Sequence, residues 1–330
     1  MASNLKSVAD IFERKLFRIP DYQRGYSWET QQLQDFWDDI NRLIDGKSHY
    51  TGLLTLEKAN LKDEYYRSSW VSDNWLIENS GFEPYFIVDG QQRLTTIIIL
   101  IQTILNQVSI DGELNYNKKE NIIEKFIVKH AGAMKSYIFD YTNNDPASNY
   151  LKGKIFKDPS IPYPGPMTIY TRNLEQAGDF FYDKLKGAEK GTLETIFKKV
   201  TLKLQFNVYE IEDELDVFVT FETTNNRGKP LSKLELLKNR LIFLTTILPN
   251  ENTPDRKGLF EEQRKDIRKL INSVWKTIYE FLGKDKDNQL DDDEFLANHY
   301  YMYYGYITDE ASKYGEILLN DKFTAKKAQE

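Results

Sequence analysis

Residues 85–107 read YFIVDGQQRLTTIIILIQTILNQ, and this segment is the most informative one for the architecture. Its first four residues are aromatic or β-branched, as in a buried strand, and Asp89-Gly90 ends the run with a turn signal. From Gln91 to Gln107 the apolar residues lie almost all round a helical projection. This length favours a buried helix, although so many isoleucines are also typical of strands. The stretch therefore predicts a strand, a tight turn and a helix.

The sequence on the N-terminal side extends this core. Residues 5–19 are typical of a short helix followed by a strand, and residues 49–57 are typical of a second strand. Between them, apolar residues recur at helical spacing from 33 to 44. Ser27 is the predicted N-cap of this helix, and Gly46 is its predicted end.

The C-terminal side adds helices and one more strand. Residues 110–200 read as mostly helical, whereas residues 202–209 alternate between apolar and polar, as in a half-buried strand. Ser232 and Glu235 have the spacing of a capping box that opens a further helix. We divide the chain into a core at 1–108, a helical insertion at 109–200, a strand and helices that complete the core at 201–250, and a C-terminal helical region at 251–330.

The composition excludes several classes of function. The 44 lysines and arginines and the 51 aspartates and glutamates give a net charge of −7, and 40% of the residues are hydrophobic, which is enough to bury a core. The absence of cysteine excludes disulfides, thiolate zinc sites and cysteine nucleophiles. The histidines, at positions 49, 130 and 299, are too widely spaced to predict a multi-histidine metal site. No apolar run approaches the roughly 18 residues that span a bilayer, so we expect a cytoplasmic protein without a membrane partner.

The first candidate site is the segment Asp89-Gly90-Gln91-Gln92-Arg93, called the 89–93 box below. The first N–H groups of a helix lack internal partners and carry the positive end of the helix dipole, so they bind anions readily. Gly90 would allow a phosphate to approach closely, and Arg93 would bind it with a planar guanidinium. Asp89 could hold a Mg²⁺ ion or orient a water that Gln91 or Gln92 positions. The alternative is a structural turn whose Asp caps the helix and whose Gln and Arg side chains are solvated.

The second candidate is the turn YQRGYSW at 22–28. An arginine between aromatic residues can bind phosphate while the rings stack on a base or a sugar. We interpret Arg24 and Tyr26 as functional and Trp28 as a core residue. The alternative is a loop whose rings fill the core under the helix that follows.

The third candidate is the segment NNRGK at 225–229. Residues 227–240 hold five basic side chains and one acid, and in an acidic protein this local excess suits polyphosphate or a DNA backbone. Two alternatives stay open. Asn226 or Gly228 could simply end a helix in a left-handed conformation, and a charge cluster taken alone is most often a solvated face.

Taken together, the segments resemble a known family. IPDYQRGYSW at 19–28, FIVDGQQRLTT at 86–96 and FETTNNRGKPLS at 221–232 are similar, in order and rough spacing, to the N-terminal family of GmrSD-type, modification-dependent restriction systems. The same family includes SspE-like proteins, which sense phosphorothioate DNA. The resemblance implies an α+β fold with a ParB/sulfiredoxin-like nucleotide-binding core and large helical additions.

The resemblance also implies hydrolysis of a nucleoside triphosphate, commonly GTP, at the 89–93 box. It makes Asp89 the candidate Mg²⁺ ligand and implies that Tyr26 senses the modified backbone. The expected catalytic residues are Asp89, Gln91, Gln92 and Arg93. The expected nucleotide contacts are Gly90, Arg24, Asn226 and Arg227. The expected DNA contacts are Tyr22, Gln23, Tyr26, Lys229 and Lys233.

The expected partners follow from the same family. We expect modified DNA, carrying either phosphorothioate or glucosylated or hydroxymethylated groups. Relatives usually carry an HNH-like nuclease domain, whereas His299 stands alone here. We therefore expect a nuclease in a separate subunit or in another part of a longer protein, and no DNA cleavage by this chain alone. A homo-oligomer is left open, and the alternative function is a non-catalytic module that binds modified DNA and uses the box structurally.

Overall fold

The computed structural model describes residues 5–44, 46–61, 67, 69–142, 146–163, 165, 167–211, 231–247, 257–285, 290–305, 313–324 and 327. The chain divides into two compact units. The first, called the sheet unit, comprises residues 1–21, 25–165 and 170–221. The second, called the helical unit, comprises residues 22–24, 166–169 and 222–330.

A mixed six-stranded sheet forms the centre of the sheet unit, within the part of the chain that is described. The strands are β1 (Leu5–Ser7), β2 (Lys15–Ile19), β3 (His49–Lys58), β4 (Glu83–Asp89), β5 (Glu113–Leu114), β6 (Asn117–Lys118), β7 (Val128–Ala131), β8 (Met134–Tyr137), β9 (Phe139–Tyr141) and β10 (Leu204–Ile211). The central sheet has the order β1-β10-β3-β4-β2-β9, and β5–β6 and β7–β8 form separate hairpins. Strands β2, β4 and β9 are parallel, β3 runs antiparallel to β4, and β10 is parallel to β3.

The helices are divided between the two units. They are α1 (Val8–Ile11), α2 (Thr30–Arg42), α3 (Asn74–Ser80), α4 (Gln91–Asn106), α5 (Lys119–Phe126), α6 (Pro146–Tyr150), α7 (Ile169–Leu185), α8 (Lys190–Lys198), α9 (Lys233–Ile247), α10 (Lys257–Leu282), α11 (Asp292–Tyr304) and α12 (Tyr314–Glu316). Wide π-helical turns continue α6, α8 and α12. Within the described ranges, no helix combines the length and the apolar character needed to cross a membrane.

The alternation of side chains along the strands explains how the sheet unit is packed. Successive residues of a strand face opposite sides of a sheet. On one side, the rings of Phe17 and Phe12 lie 5.0 Å apart, and on the other the rings of Phe86 and Trp70 lie 5.6 Å apart. Helix α4 is buried at every residue from Leu94 to Leu105. Residues 84–88 of β4 are buried without interruption, as expected of a central strand that is covered on both faces.

The helical unit is joined by polar bonds between its helices. Helix α9 begins with the predicted capping box, since the Ser232 N–H donates to Glu235 Oε2 at 3.0 Å and the Glu235 N–H donates to Ser232 Oγ at 3.1 Å. The Trp275 indole N–H of α10 donates to the carbonyl of Leu234 at 3.3 Å. These bonds confirm the capping box and connect α9 to α10.

The α+β class and the central strand, turn and helix are confirmed: β4 ends at Asp89 and α4 begins at Gln91. The predicted N-cap of α2 is wrong. The helix begins after Glu29, whose N–H donates to Gln32 Oε1 at 2.9 Å, and Ser27 lies too far before the first turn to cap it. The helix also ends before Gly46, at Arg42.

The expectation of a mostly helical stretch from 110 to 200 is wrong for residues 113–118 and 128–141, which hold five short strands on either side of α5. Strands of two to four residues are too short to show a clear alternation of apolar and polar residues. The last of them, β9, pairs with β2 and forms an edge of the central sheet. The four-part division of the chain and the ParB/sulfiredoxin-like core stay predictions.

Candidate functional site at the start of helix α4

The turn between β4 and α4 depends on a glycine. Gly90 has φ 92° and ψ 4°, a left-handed conformation that favours glycine. Its N–H donates to Asp89 Oδ1 at 2.7 Å. A Cβ at this position would lie 3.0 Å from Leu54 Cδ1 and 3.2 Å from the Leu53 carbonyl oxygen. Gly90 therefore lets the chain turn from strand to helix while packed closely against β3.

The first amides of α4 have no capping side chain among the described residues. The first intrahelical bond runs from the Leu94 N–H to the Gly90 carbonyl at 3.1 Å, and Gly90 has no side chain to cap the helix. Among the described residues, no side chain accepts from the N–H groups of Gln91, Gln92 or Arg93. These N–H groups carry the positive end of the helix dipole, so they form a site that attracts a negative group.

Arg93 is bound to the neighbouring strand. Its Nη1 donates to the Thr51 carbonyl at 2.9 Å and its Nη2 donates to the Leu53 carbonyl at 3.0 Å, while Nη2 lies 3.7 Å from Asp89 Oδ2. Only 22% of the side chain is exposed. Burial lowers the pKa of Arg93, and the Asp89 carboxylate opposes this shift. The guanidinium remains a cation, and in this position it fastens α4 to β3.

Gln92 holds the predicted aromatic turn. Its Nε2 donates to the Gly25 carbonyl at 3.0 Å, and its Oε1 accepts from the Ser27 N–H at 2.8 Å. One side-chain amide therefore satisfies a donor and an acceptor of the same turn. The contacts of Gln92 and Arg93 are those expected if the 89–93 box is a structural turn. They differ from that alternative in one respect, because both side chains are bonded to backbone groups and are not solvated.

Tyr26 lies beneath this turn, and only 1% of it is exposed. Its hydroxyl lies 2.7 Å from Thr96 Oγ1, and because Thr96 donates to the Gln92 carbonyl, Tyr26 is the donor of this bond. Burial raises the pKa of Tyr26, so the hydroxyl stays protonated. The Asn173 side chain also donates to the Tyr26 carbonyl, at 3.1 Å. A direct contact between Tyr26 and DNA stays a prediction, and it requires this turn to open.

Several buried oxygens beside the box have no hydrogen-bond partner within the described part of the chain. They include Gln91 Oε1, in a residue that is 6% exposed, and Thr55 Oγ1, in a residue that is 0% exposed. Thr55 is the strand partner of Asp89, so the two side chains share one face of the sheet. Ser27 Oγ and Thr51 Oγ1 are in the same situation. Because a buried unsatisfied polar group costs about 1–3 kcal/mol, each of these oxygens favours a polar partner such as a ligand or an ordered water.

The sequence did not point to Thr51 and Thr55. They lie on β3, more than thirty positions before the box, and the antiparallel pairing with β4 brings Thr55 beside Asp89. The available signal was Gly52, because a glycine inside a strand often marks the close approach of another group. Among the described residues there is no cluster of three or more His, Cys, Asp or Glu side chains that could hold a metal ion.

The other predicted residues of the aromatic turn belong to the helical unit. Arg24 Nη1 lies 3.5 Å from Glu235 Oε2, and the two side chains are 7% and 9% exposed. Tyr22 and Gln23 are also buried, at 3% and 4% exposure. Arg24 therefore pairs with Glu235, a residue of the capping box of α9. Its role as a nucleotide contact stays a prediction.

Lys233 lies at the start of α9. Its Nζ is 4.3 Å from the centre of the Tyr314 ring, and its backbone N–H donates to Asp293 Oδ1 at 2.6 Å. Its role in DNA binding stays a prediction. The other residues predicted from the third segment, Asn226, Arg227 and Lys229, lie outside the described residues.

Fold and site together define an α+β protein with a strand–turn–helix junction whose helix start has no capping side chain among the described residues. Residues 8–242, more than two thirds of the chain, match the family described as GmrSD restriction endonuclease, N-terminal domain. The chain therefore belongs to this family, and its role lies in a restriction system. No curated protein matches the chain.

Proposed function

We propose that this protein binds a nucleoside triphosphate at the start of α4 and hydrolyses it, with GTP as the preferred substrate. We further propose that hydrolysis is coupled to recognition of modified DNA and to a nuclease domain or subunit of the HNH type. The observation that supports the proposal most is the set of N–H groups at the start of α4 that no described side chain caps. They lie next to the Asp89 carboxylate and to buried oxygens that have no partner among the described residues.

Binding would use the backbone more than the side chains. The N–H groups of Gln91, Gln92 and Arg93 would donate to phosphate oxygens, and the bare Gly90 would let the phosphate approach. The guanidinium of Arg93 already donates to two carbonyls of β3. We therefore assign Gln92 and Arg93 primarily a positioning role, which keeps the helix start, β3 and the turn at 25–27 together.

Hydrolysis would use Asp89 and Gln91. Asp89 is the only acid in the box, and its side chain is 16% exposed, so it can meet a water at the edge of the buried core. The carboxylate would orient that water towards the terminal phosphate and accept its proton. Gln91 Oε1, which lacks a partner among the described residues, would accept a second hydrogen bond from the same water.

The residues also fit a Mg²⁺ ion. Magnesium is commonly held by one or two carboxylates together with substrate phosphates and hydroxyl or water oxygens. In the alternative role of Asp89, the carboxylate would hold this ion together with the Thr55 hydroxyl instead of accepting the proton of the water. The two side chains lie on one face of the sheet, and the hydroxyl has no hydrogen-bond partner among the described residues. When bound, the ion would neutralise charge on the phosphates.

The deciding experiment measures phosphate release from the four nucleoside triphosphates, with and without phosphorothioate or glucosylated DNA. We expect release that prefers GTP and changes when modified DNA is added. Asp89→Asn should reduce release by about 100-fold or more, because the amide cannot accept the proton of the water. The fold should persist, since an asparagine Oδ1 can still accept from the Gly90 N–H.

The matched control is Asp111→Asn, which removes one negative charge from an exposed residue. It should release phosphate at the wild-type rate. Wild-type activity in Asp89→Asn would remove the assignment of the box. Tight, nucleotide-independent binding of modified DNA without any phosphate release would instead support the alternative function, a non-catalytic DNA-binding module.

A further inference from the structure

A cavity of about 410 Å³ lies in the sheet unit, where the end of α2 meets the end of α8. We call it the lysine cavity. Three of its lining residues are lysines, and no acid is among the described residues that line it. Asp45, which lies between the lining residues Ile44 and Gly46 in the sequence, is outside the described residues. The lining residues are Leu43, Ile44, Gly46, Thr195, Lys198, Lys199 and Lys203.

The three lysines come from one short segment with an unusual backbone. Helix α8 ends at Lys198, and a π-helical turn continues it from Lys199 to Lys203. Wide turns of this type are rare and are often found at functional sites. Here the turn places three lysines of a six-residue segment in the lining of one cavity.

The lysines differ in what they already bind. Lys199 Nζ donates to the carbonyls of Ile40 and Asn41, at 3.1 and 3.3 Å, so it caps the C-terminus of α2. Lys198 and Lys203 form no ion pair with the described residues. In a chain with a net charge of −7, two such lysines beside a third form a local positive site.

One wall of the cavity is apolar. Ile44 is 65% exposed, an unusual position for an isoleucine, and Leu43 lies beside it. A ligand that fits both walls carries a negative charge next to an apolar or weakly polar group. A phosphodiester joined to deoxyribose has this character, because charged lysines bind the phosphate while the sugar covers the isoleucine.

We propose that the lysine cavity binds a backbone phosphate of DNA, with Lys198 and Lys203 as the contacts and Lys199 as the residue that fixes the cavity wall. The choice of DNA as the ligand rests on the proposed function. The site is separate from the 89–93 box, so the two halves of the proposed function are assigned to different residues and can be tested apart.

The test uses the full chain and the double variant Lys198→Gln/Lys203→Gln. Binding of modified and unmodified duplex DNA is measured by fluorescence anisotropy over a range of salt concentrations. Each lost phosphate contact should reduce the slope of log affinity against log salt by about one, so the slope should fall by roughly two. At about 100 mM salt the affinity should fall by about tenfold or more.

Two further variants control for charge and for shape. Lys118→Gln/Lys186→Gln removes two exposed lysines of the same unit and should change the affinity by less than about threefold. Lys198→Arg/Lys203→Arg keeps both charges and should retain the wild-type salt slope. All three double variants should melt near the wild-type temperature, because the altered side chains are at the surface or only partly buried.

The outcomes separate DNA from other sources of phosphate. Reduced DNA affinity with unchanged triphosphate hydrolysis supports the proposal. The proposal is overturned if Lys198→Gln/Lys203→Gln and its control Lys118→Gln/Lys186→Gln show equal DNA affinity and equal salt slope. It is also overturned if the Lys198→Gln/Lys203→Gln variant loses hydrolysis while its DNA affinity is unchanged, because the cavity would then bind nucleotide. Titration with inorganic phosphate alone should not saturate the cavity at millimolar concentration, and saturation would overturn the choice of DNA. A wild-type protein without hydrolysis would refute the proposed enzyme but leave the affinity comparison valid.

Discussion

Replacing Gly52 with alanine should dislodge the Arg93 guanidinium from strand β3. Gly52 lies between the two carbonyls that accept from Arg93, those of Thr51 and Leu53, and its φ is +133°. A Cβ on this residue would lie 1.7 Å from Nη1 and 2.9 Å from Cζ of Arg93. Contacts this short cannot persist, so either the guanidinium or the strand must move.

The expected loss of stability follows from the bonds that break. A hydrogen bond to a charged group contributes about 1.5–3 kcal/mol, so two such bonds contribute roughly 3–6 kcal/mol. The positive φ adds about 1 kcal/mol or more for a residue with a side chain. Because Arg93 is 22% exposed and can regain water, we expect a total near the lower end, about 4 kcal/mol. At roughly 2–4 °C per kcal/mol, the melting temperature of the sheet unit should fall by about 8–16 °C.

The assay is thermal and denaturant unfolding of four proteins in a double-mutant cycle. In the Arg93→Ala background the clash is gone, so Gly52→Ala should cost only the backbone part, about 1–2 kcal/mol. Gly187→Ala is the control for the backbone, since Gly187 also has a positive φ but nothing within 4 Å of an added Cβ. If Gly52→Ala costs the same with and without Arg93, the guanidinium does not dock on β3 and the reasoning fails.

Two further predictions concern single side chains of the sheet unit. Tyr26→Phe should lower stability by about 1 kcal/mol and leave DNA affinity unchanged, because the hydroxyl is buried and bonded to Thr96. A tenfold loss of affinity in an anisotropy titration would show instead that the Tyr26 hydroxyl reaches DNA. Burial raises the pKa of Asp158, but bonds from Lys135, Tyr137 and Ser160 outweigh this, so the folded pKa lies below the usual value. The stabilisation by the Asp158 carboxylate is therefore present above about pH 4 and is lost as pH falls through the lower folded pKa. Unfolding curves should show that Asp158→Asn is about 2 kcal/mol less stable than the wild type at pH 7. This difference in stability should become smaller in acid.

Local patterns were sufficient where local interactions decide the structure. The apolar run before Asp89, the turn signal at Gly90 and the long apolar segment after it gave β4 and α4 within two residues of their observed bounds. The pair Ser232 and Glu235 was predicted as a capping box and forms one. In each case the residues that make the contacts lie within a few positions of one another.

Contacts between distant segments could not be obtained in this way. The edge strand β9 has three residues, and its place beside β2 depends on pairing across more than a hundred positions. The position of Thr55 beside Asp89 likewise requires the register between β3 and β4. From its position at a helix start, the Arg93 guanidinium was predicted to bind an anion. In the structure it donates to two carbonyls of β3, whose position the sequence pattern could not give.

The observed contacts change what a substitution of Arg93 can show. Arg93→Ala removes the guanidinium from β3 as well as from any phosphate, so a loss of hydrolysis in this variant has two explanations. Gly52→Ala keeps the guanidinium but displaces it from the same two carbonyls. If both variants lose hydrolysis to the same extent, Arg93 acts by positioning the start of α4. If Arg93→Ala alone loses hydrolysis while Gly52→Ala retains it, the guanidinium itself contacts the phosphate, and our assignment of Arg93 as a positioning residue is wrong.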